Sequence, residues 1–164
     1  STALFADGAA AILLGDGPTP GPRLLDQRTF SDYQTFEHMA FHLTDHGFRM
    51  ALSSYVPDVL RAQAGEMVEQ LLAPHGLARR DIRFWGIHPG GVRILDFLQA
   101  ELGLAEADLA FSRAVLREKG NMSSPTVLFV LEEIMRRGAP QPGDYAVLMA
   151  FGPGLTLETG LVAW

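Results

Sequence analysis

The 164-residue chain contains no cysteine. That excludes a disulfide framework, a thiolate metal site and any nucleophilic chemistry by a thiol of its own. No apolar run approaches the roughly 20 residues that a membrane-spanning helix needs. The opening Ser1-Thr2-Ala3-Leu4-Phe5 lacks a basic segment followed by a cleavable apolar stretch, so no signal peptide is expected there. Positive charge is scarce as well: 13 Lys and Arg face 19 Asp and Glu, for a net charge of −6. This removes the basic footprint of a nucleic-acid binder. It also argues against the chain being, by itself, the main binder of a polyphosphate. What remains is ordinary globular composition, 48% apolar and 20% charged. The expectation is one cytoplasmic domain over residues 1–164, long enough to bury a real core.

Ala9 to Gly15 is a short unbroken apolar run between glycines, which suits a strand buried on both faces. The Gly- and Pro-rich stretch from Gly15 to Pro22 reads as a loop. Arg23 to Tyr33, Phe36 to Thr44 and Phe48 to Ser53 read as strands, the last two joined at Asp45-His46-Gly47 as a hairpin. His42, Asp45 and His46 form an H-x-x-D-H string, but strand alternation sends these side chains in different directions, so no metal site is expected. A helix is expected from Val56-Pro57 to about Ala73, with Leu60, Ala64, Met67, Val68, Leu71 and Leu72 as its apolar stripe. Pro74-His75-Gly76 ends it, and His75 at the helix C-terminus reads as structural.

A strand from Arg83 to Ile87 then delivers His88 to a Pro89-Gly90-Gly91 turn. The following helix carries Ile94, Leu95, Leu98 and Leu102 on one face, and a shorter one spans about Leu109 to Glu118. The segment from Asn121 to Gly138 is predicted to be helical, with Val127-Leu128-Phe129-Val130-Leu131 apolar on every face. A helix apolar all round is buried all round, so a sheet should lie on one side and a second domain or a second copy on the other. Strands Tyr145 to Phe151 and Leu155 to Ala163 flank Gly152-Pro153-Gly154. The order of elements gives an α/β fold with a mixed sheet.

Two polar positions stand out. In an open α/β sheet ligands bind outside the carboxyl ends of the strands, where His88 falls. A histidine also titrates near physiological pH. Asn121, with Ser123 and Ser124 behind it, marks the approach to a helix. The plain reading of each is structural: His88 satisfying loop backbone, Asn121 capping the helix. The functional reading uses the same geometry, because an imidazole and a carboxamide converging on one carbonyl make an oxyanion hole. Such a hole stabilises charge but attacks nothing, and this chain has no cysteine to attack with. By chemistry alone it is half an active site. Gly152-Pro153-Gly154 reads as a tight turn that also lets backbone approach a ligand.

Ile87-His88-Pro89-Gly90-Gly91, Gly120-Asn121-Met122-Ser123-Ser124 and Phe151-Gly152-Pro153-Gly154-Leu155-Thr156 resemble the C-terminal half of type III polyketide synthases, the chalcone and stilbene synthase family. Leu4-Phe5-Ala6-Asp7-Gly8-Ala9 and Phe41-His42-Leu43 match in the same order, so the resemblance runs over nearly the whole chain. It implies the C-terminal half of a thiolase-like fold: a mixed five-stranded sheet with helices on both faces and a β-hairpin insertion. It implies a Cys-His-Asn triad, with His88 and Asn121 in this chain and the cysteine on an N-terminal half that residues 1–164 do not include. Phe5 and Phe41 match the two phenylalanines that gate the cavity mouth. Ser123, Gly152, Pro153 and Gly154 would line the substrate site, and Arg93, as motif position places it, would stand near the entrance, either touching CoA or simply solvated. The implied reaction condenses malonyl-CoA onto a CoA-linked starter in a homodimeric enzyme, with no cofactor beyond CoA thioester substrates. The all-apolar helix would belong to a central layer shared with the other half.

Three positions depart from the family pattern: Ala150 and Ala6 where glycine is usual, and Pro125 after Ser124. With the short hairpin they suggest a bacterial-type member. A carrier-protein-dependent β-ketoacyl synthase of the third class, which shares the triad, is the alternative within enzymes. A non-catalytic domain that keeps the fold and pairs with a partner is the alternative outside them.

Overall fold

The alternating apolar segments of the second half build the sheet that carries the site. The computed structural model describes residues 4–17, 21–53 and 56–164. In chain order the elements are strands β1 (Arg23–Ser31), β2 (Met39–Thr44) and β3 (Gly47–Leu52), helix α1 (Val56–Leu72), strand β4 (Phe84–Ile87), and helices α2 (Val92–Leu102), α3 (Ala110–Lys119) and α4 (Thr126–Glu133), closed by strands β5 (Tyr145–Gly152) and β6 (Thr156–Ala163). Among the described residues the main sheet has four strands in the order β1-β6-β5-β4, and β2-β3 forms a separate hairpin. β4 runs parallel to β5, while β5-β6 and β6-β1 are antiparallel, so the sheet is mixed as expected.

Period-two alternation assigns the two faces. Trp85, Ile87, Val147, Met149, Leu157 and Leu161 point to one side, where α1 supplies Ala64, Met67, Val68, Leu71 and Leu72 and α2 supplies Leu95, Leu98 and Leu102. Phe84, Ala146 and Val162 point to the other, against Val115 of α3 and Val130 and Ile134 at α4. Burying each such leucine or valine contributes about 1.5–3 kcal/mol relative to leaving it in water. The α1 stripe is as expected from Ala64 onward; the side chain of Leu60 lies outside the described residues, as do residues 18–20 of the expected Gly15–Pro22 loop.

Three expectations change. The run Ala9–Gly15 is not a strand of this sheet, which therefore has four strands and not five. Its large side chains face solvent, Leu13 at 97% exposure, Ile12 at 57% and Leu14 at 73%. An apolar sequence forms a buried strand only where a neighbouring strand offers backbone partners, and among the described residues no strand pairs with it. The strand expected from Phe36 starts at Met39, because Asp32 accepts a hydrogen bond from the Gln34 N–H (2.9 Å) and opens a 3-10 turn over Tyr33–His38. The helix expected from Asn121 starts at Thr126 and loosens into a π turn at Ile134–Gly138. Ser123 adopts φ +63°, outside helical geometry, and Pro125 suits the first turn of a helix and not its interior.

α4 is sheet-packed on one side through Val130 and Ile134. On its other side Val127, Leu128 and Phe129 are only half-buried, and Met135 beyond it is 44% exposed. Ala11 and Ile12 lie beside Leu128, Leu131 and Met135 along a shallow groove. The second face of this apolar helix is thus incompletely covered within residues 1–164.

Candidate active site

Strand β4 aims His88. Phe84 and Gly86 face the α4 side, where a Cβ on Gly86 would stand 2.5 Å from Leu148 Cδ2 and 3.4 Å from Ile134 Cδ1. Alternation sends His88 to that same side. Its backbone N–H donates to the Met149 carbonyl (2.7 Å), extending the β4–β5 pairing by one residue. The chain then turns through Gly90, whose N–H donates to the His88 carbonyl (2.9 Å). The turn needs glycine at Gly90, since a Cβ there would sit 2.7 Å from the Phe151 ring. That ring meets the His88 imidazole edge-on at 5.2 Å between centroids.

Asn121 is held from both directions. Its backbone N–H donates to the Leu4 carbonyl (3.0 Å), and its carbonyl accepts from the Ala6 N–H (2.9 Å), so residues 4–6 clamp it like a short strand. Its side-chain Oδ1 accepts from the Ser123 N–H (2.8 Å), a local turn upstream of the helix and not a cap on it. The Thr126 hydroxyl, on the first residue of α4, ties the same turn back to the helix, accepting from the Met122 N–H (2.9 Å) and donating to the Ser123 carbonyl (2.7 Å). With Oδ1 engaged, Nδ2 donates one hydrogen to the Gly90 carbonyl at 3.3 Å. An amide nitrogen carries two hydrogens, so the second remains for a ligand.

His88 and Asn121 meet at one cavity of about 310 Å³. Both are buried, at 7% and 5% exposure. Burial pushes the His88 imidazole down from 6.5 to about 4, so it is neutral at physiological pH and carries a single N–H. Apart from His88, Glu158 is the ionisable side chain on the wall. The arrangement is a pair of neutral N–H donors beside a largely apolar chamber, suited to holding a developing oxyanion.

Comparison with known proteins gives the family. Residues 27–163 match the family described as chalcone and stilbene synthases, C-terminal domain. The chain belongs to that family. This domain is 38% identical over 98% of its length to 3,5-dihydroxyphenylacetyl-CoA synthase of Amycolatopsis balhimycina, and 37% identical over 99% to 1,3,6,8-tetrahydroxynaphthalene synthase of Streptomyces peucetius subsp. caesius; it covers 44% of each. It superimposes with a TM-score of 0.81 on the crystal structure of 1,3,6,8-tetrahydroxynaphthalene synthase from Streptomyces coelicolor A3(2), a bacterial type III polyketide synthase, at 33% identity over 88% of this chain and 41% of that one. PKS-I from the brown alga Ectocarpus siliculosus gives the same TM-score at 30% identity, covering 90% of this chain and 41% of that one. The fold is therefore thiolase-like, and the chain spans less than half the length of these relatives.

Phe5, Phe41, Ser123, Gly152 and Pro153 all line the cavity of this synthase domain with His88 and Asn121. Two expected residues do not. Arg93 is exposed on the first turn of α2 and is not part of the cavity wall, where its neighbour Ile94 stands instead. Gly154 serves the β5–β6 turn: its φ is +133°, and a Cβ would stand 2.7 Å from Thr156 Oγ1. The H-x-x-D-H string forms no ligand cluster; His42 sits 3.6 Å from Glu37, and no group of three metal-binding side chains occurs among the described residues.

Sequence reading missed Met39, Met50, Ile94, Phe151, Thr156 and Glu158 on the wall. The signal for some was present. Phe41 pairs across the hairpin with Met50, and Met39 lies two residues earlier on the same face. Glu158 lies two residues beyond Thr156 in the matched motif, on the same face of β6.

Proposed function

We propose that this domain supplies the histidine and asparagine of a Cys-His-Asn triad in a type III polyketide synthase that condenses malonyl-CoA onto a CoA-linked starter. The observation that carries the reading is the convergence of the His88 imidazole and the Asn121 carboxamide on one cavity in a chain without cysteine. The attacking sulfur then comes from polypeptide outside residues 1–164.

In this scheme a cysteine thiolate, stabilised by the proton it passes to His88, attacks the starter thioester. The C–S bond to CoA breaks, and CoA leaves as the thiol on taking up that proton. Malonyl-CoA next binds with its thioester oxygen between the His88 N–H and the free Asn121 Nδ2–H. Loss of carbon dioxide leaves an enolate whose negative oxygen those two donors hold. Its carbanion carbon attacks the acyl-cysteine, a C–C bond forms, and the thiolate is expelled with a lengthened chain on CoA. Transfer back to the cysteine starts the next round. Neutral His88 suits the enolate step, where a donor is needed; a thiolate placed beside it would raise its proton affinity for the loading step.

Phe5 and Phe41 act at the mouth of the cavity in this reading, and Ser123, Gly152 and Pro153 shape its wall. No cofactor beyond the CoA thioesters is called for. The active enzyme is a cytoplasmic homodimer in which the other half of each protomer covers the open face of α4. The names of the bacterial relatives describe hydroxylated aromatic products, and we place the product of this enzyme in that class.

The test is incubation of the complete synthase that carries this domain with malonyl-CoA and a panel of acyl-CoA starters, read by mass spectrometry. Polyketides lengthened by two-carbon units, with CoA released, are expected. Turnover only with carrier-protein-bound malonyl groups would move the enzyme to the β-ketoacyl synthases. No condensation with either would leave a non-catalytic partner domain.

A further inference from the structure

We propose that Glu158 is a specificity-determining residue: its carboxylate accepts a hydrogen bond from an enol or phenol hydroxyl of the growing polyketide, and so fixes how that chain folds for ring closure. The inference rests on the synthase reading above and gives a role to a wall residue that the triad leaves unused.

Glu158 sits in the middle of β6, between Thr29 of β1 and Ala150 of β5 in the sheet register. The Thr29 hydroxyl donates to Glu158 Oε2 at 2.6 Å, which pins one end of the carboxylate. On the other side the cross-strand neighbour is only a methyl group, so Ala150 does not cover it. A larger residue at that position would fill the space between the carboxylate and the chamber. Glu158 and Ala150 both line the cavity. Glu158 is thus an exposed carboxylate held on a strand at the cavity wall, with one oxygen tethered and further acceptor capacity left for a ligand.

The surroundings decide what that carboxylate can bind. Among the described residues no Lys or Arg lines the cavity, so no basic group described on its wall neutralises Glu158. Thr156, two residues earlier on the same face, adds a hydroxyl that lies 3.3 Å from Ser31 Oγ. Besides this strip and the polar residues His88, Asn121, Ser123 and Ser124, the wall is apolar, with Met39, Phe41 and Phe151. The chamber thus has a polar strip along β6, a second polar group at His88 and Asn121, and apolar wall for the rest. A small hydrated metal cation would fit a carboxylate but would lose its water against the aliphatic and thioether parts of the wall. A plain fatty chain would fit that wall but leave the carboxylate facing hydrocarbon. A poly-β-ketone in its enol form fits both, because it presents hydroxyl donors along one edge and carbon along the other. Hydrogen bonds to ionised acceptors are stronger than neutral ones and carry geometric preference, so one such contact selects among the ways the chain can fold.

The test compares wild type, E158Q and T29V in the complete synthase. The readout is ring-closed phenolic product per CoA released, with pyrone and linear by-products measured alongside by liquid chromatography and mass spectrometry. E158Q is expected to lower that ratio by about tenfold, the size of effect expected when a hydrogen bond to a charged acceptor is weakened. T29V keeps the carboxylate but releases its tether, and a fall of about threefold is expected. A ratio within twofold of wild type in folded E158Q overturns the proposal. If E158Q does not fold, T29V decides: an unchanged ratio overturns the proposal and a lowered one supports it. Absence of CoA release from the wild-type enzyme would instead refute the synthase reading itself.

Discussion

Replacing His88 by glutamine in this chain should flatten its acid sensitivity, and the size of the effect follows from the site. Burial lowers the imidazole from 6.5 to about 4. The folded state therefore holds His88 neutral where the unfolded chain begins to protonate it. Above about pH 6.5 both states carry a neutral ring and nothing is lost. As the pH falls toward 4 the unfolded state binds the extra proton, and stability drains away. At about 1.4 kcal/mol per decade of proton affinity, the gap is worth roughly 3 kcal/mol once fully developed. Glutamine does not titrate. Urea unfolding at fixed protein concentration, in steps from pH 7.5 to 4, should show wild type losing roughly 3 kcal/mol more than H88Q over that window. Other acid-labile contacts are common to both proteins and cancel in the difference. These include Asp26, whose carboxyl is held low first by His75 and then by its Gln27 and Arg28 contacts, and Glu133, held low by Arg136. Parallel stability curves would refute the reasoning, because they would mean the imidazole is solvated in the fold.

Gly90→Ala should destabilise the domain by about 1–3 kcal/mol, since the new methyl group meets the Phe151 ring; urea midpoints should show most of that cost relieved in a Phe151→Leu background. The isolated chain should self-associate and bind a hydrophobic dye, because Ile12, Leu13, Leu14 and the outer side of α4 leave a contiguous apolar surface open. A monodisperse monomer by light scattering, without dye binding, would contradict that. The same chain alone should form no carbon–carbon bond between malonyl-CoA and an acyl-CoA starter, lacking a thiol to carry the acyl group; measurable condensation would show that the site is complete without one.

Much of the architecture could be read from local pattern. Leu95, Leu98 and Leu102 recur at helical spacing and are the buried face of α2. Asp45-His46-Gly47 marked the hairpin, and Gly47 takes the positive φ of +101°. The failures came where a segment's state depends on what is outside it. Ala9–Gly15 has the sequence of a buried strand but pairs with no strand among the described residues, so it lies open. Asn121 has the residue type of a helix cap, yet Ser123 at positive φ and Pro125 push the helix start to Thr126, freeing the amide for the cavity. His88 and Asn121 were legible as a pair because each stands at a strand or helix boundary with distinctive neighbours. Met50 and Glu158 had only strand alternation to mark their faces, and which faces meet at one cavity wall is fixed by the register between strands.

Two N–H donors sharing one thioester oxygen are the centre of the proposed chemistry. The most direct measurement is malonyl-CoA decarboxylation by the complete synthase with Asn121→Ala, followed as carbon dioxide release. A loss of about 10²–10³ in rate, with the His88 environment unchanged by NMR, is the expected result. Decarboxylation within twofold of wild type would mean that the carboxamide does not touch the oxyanion, and the shared-donor site would be wrong.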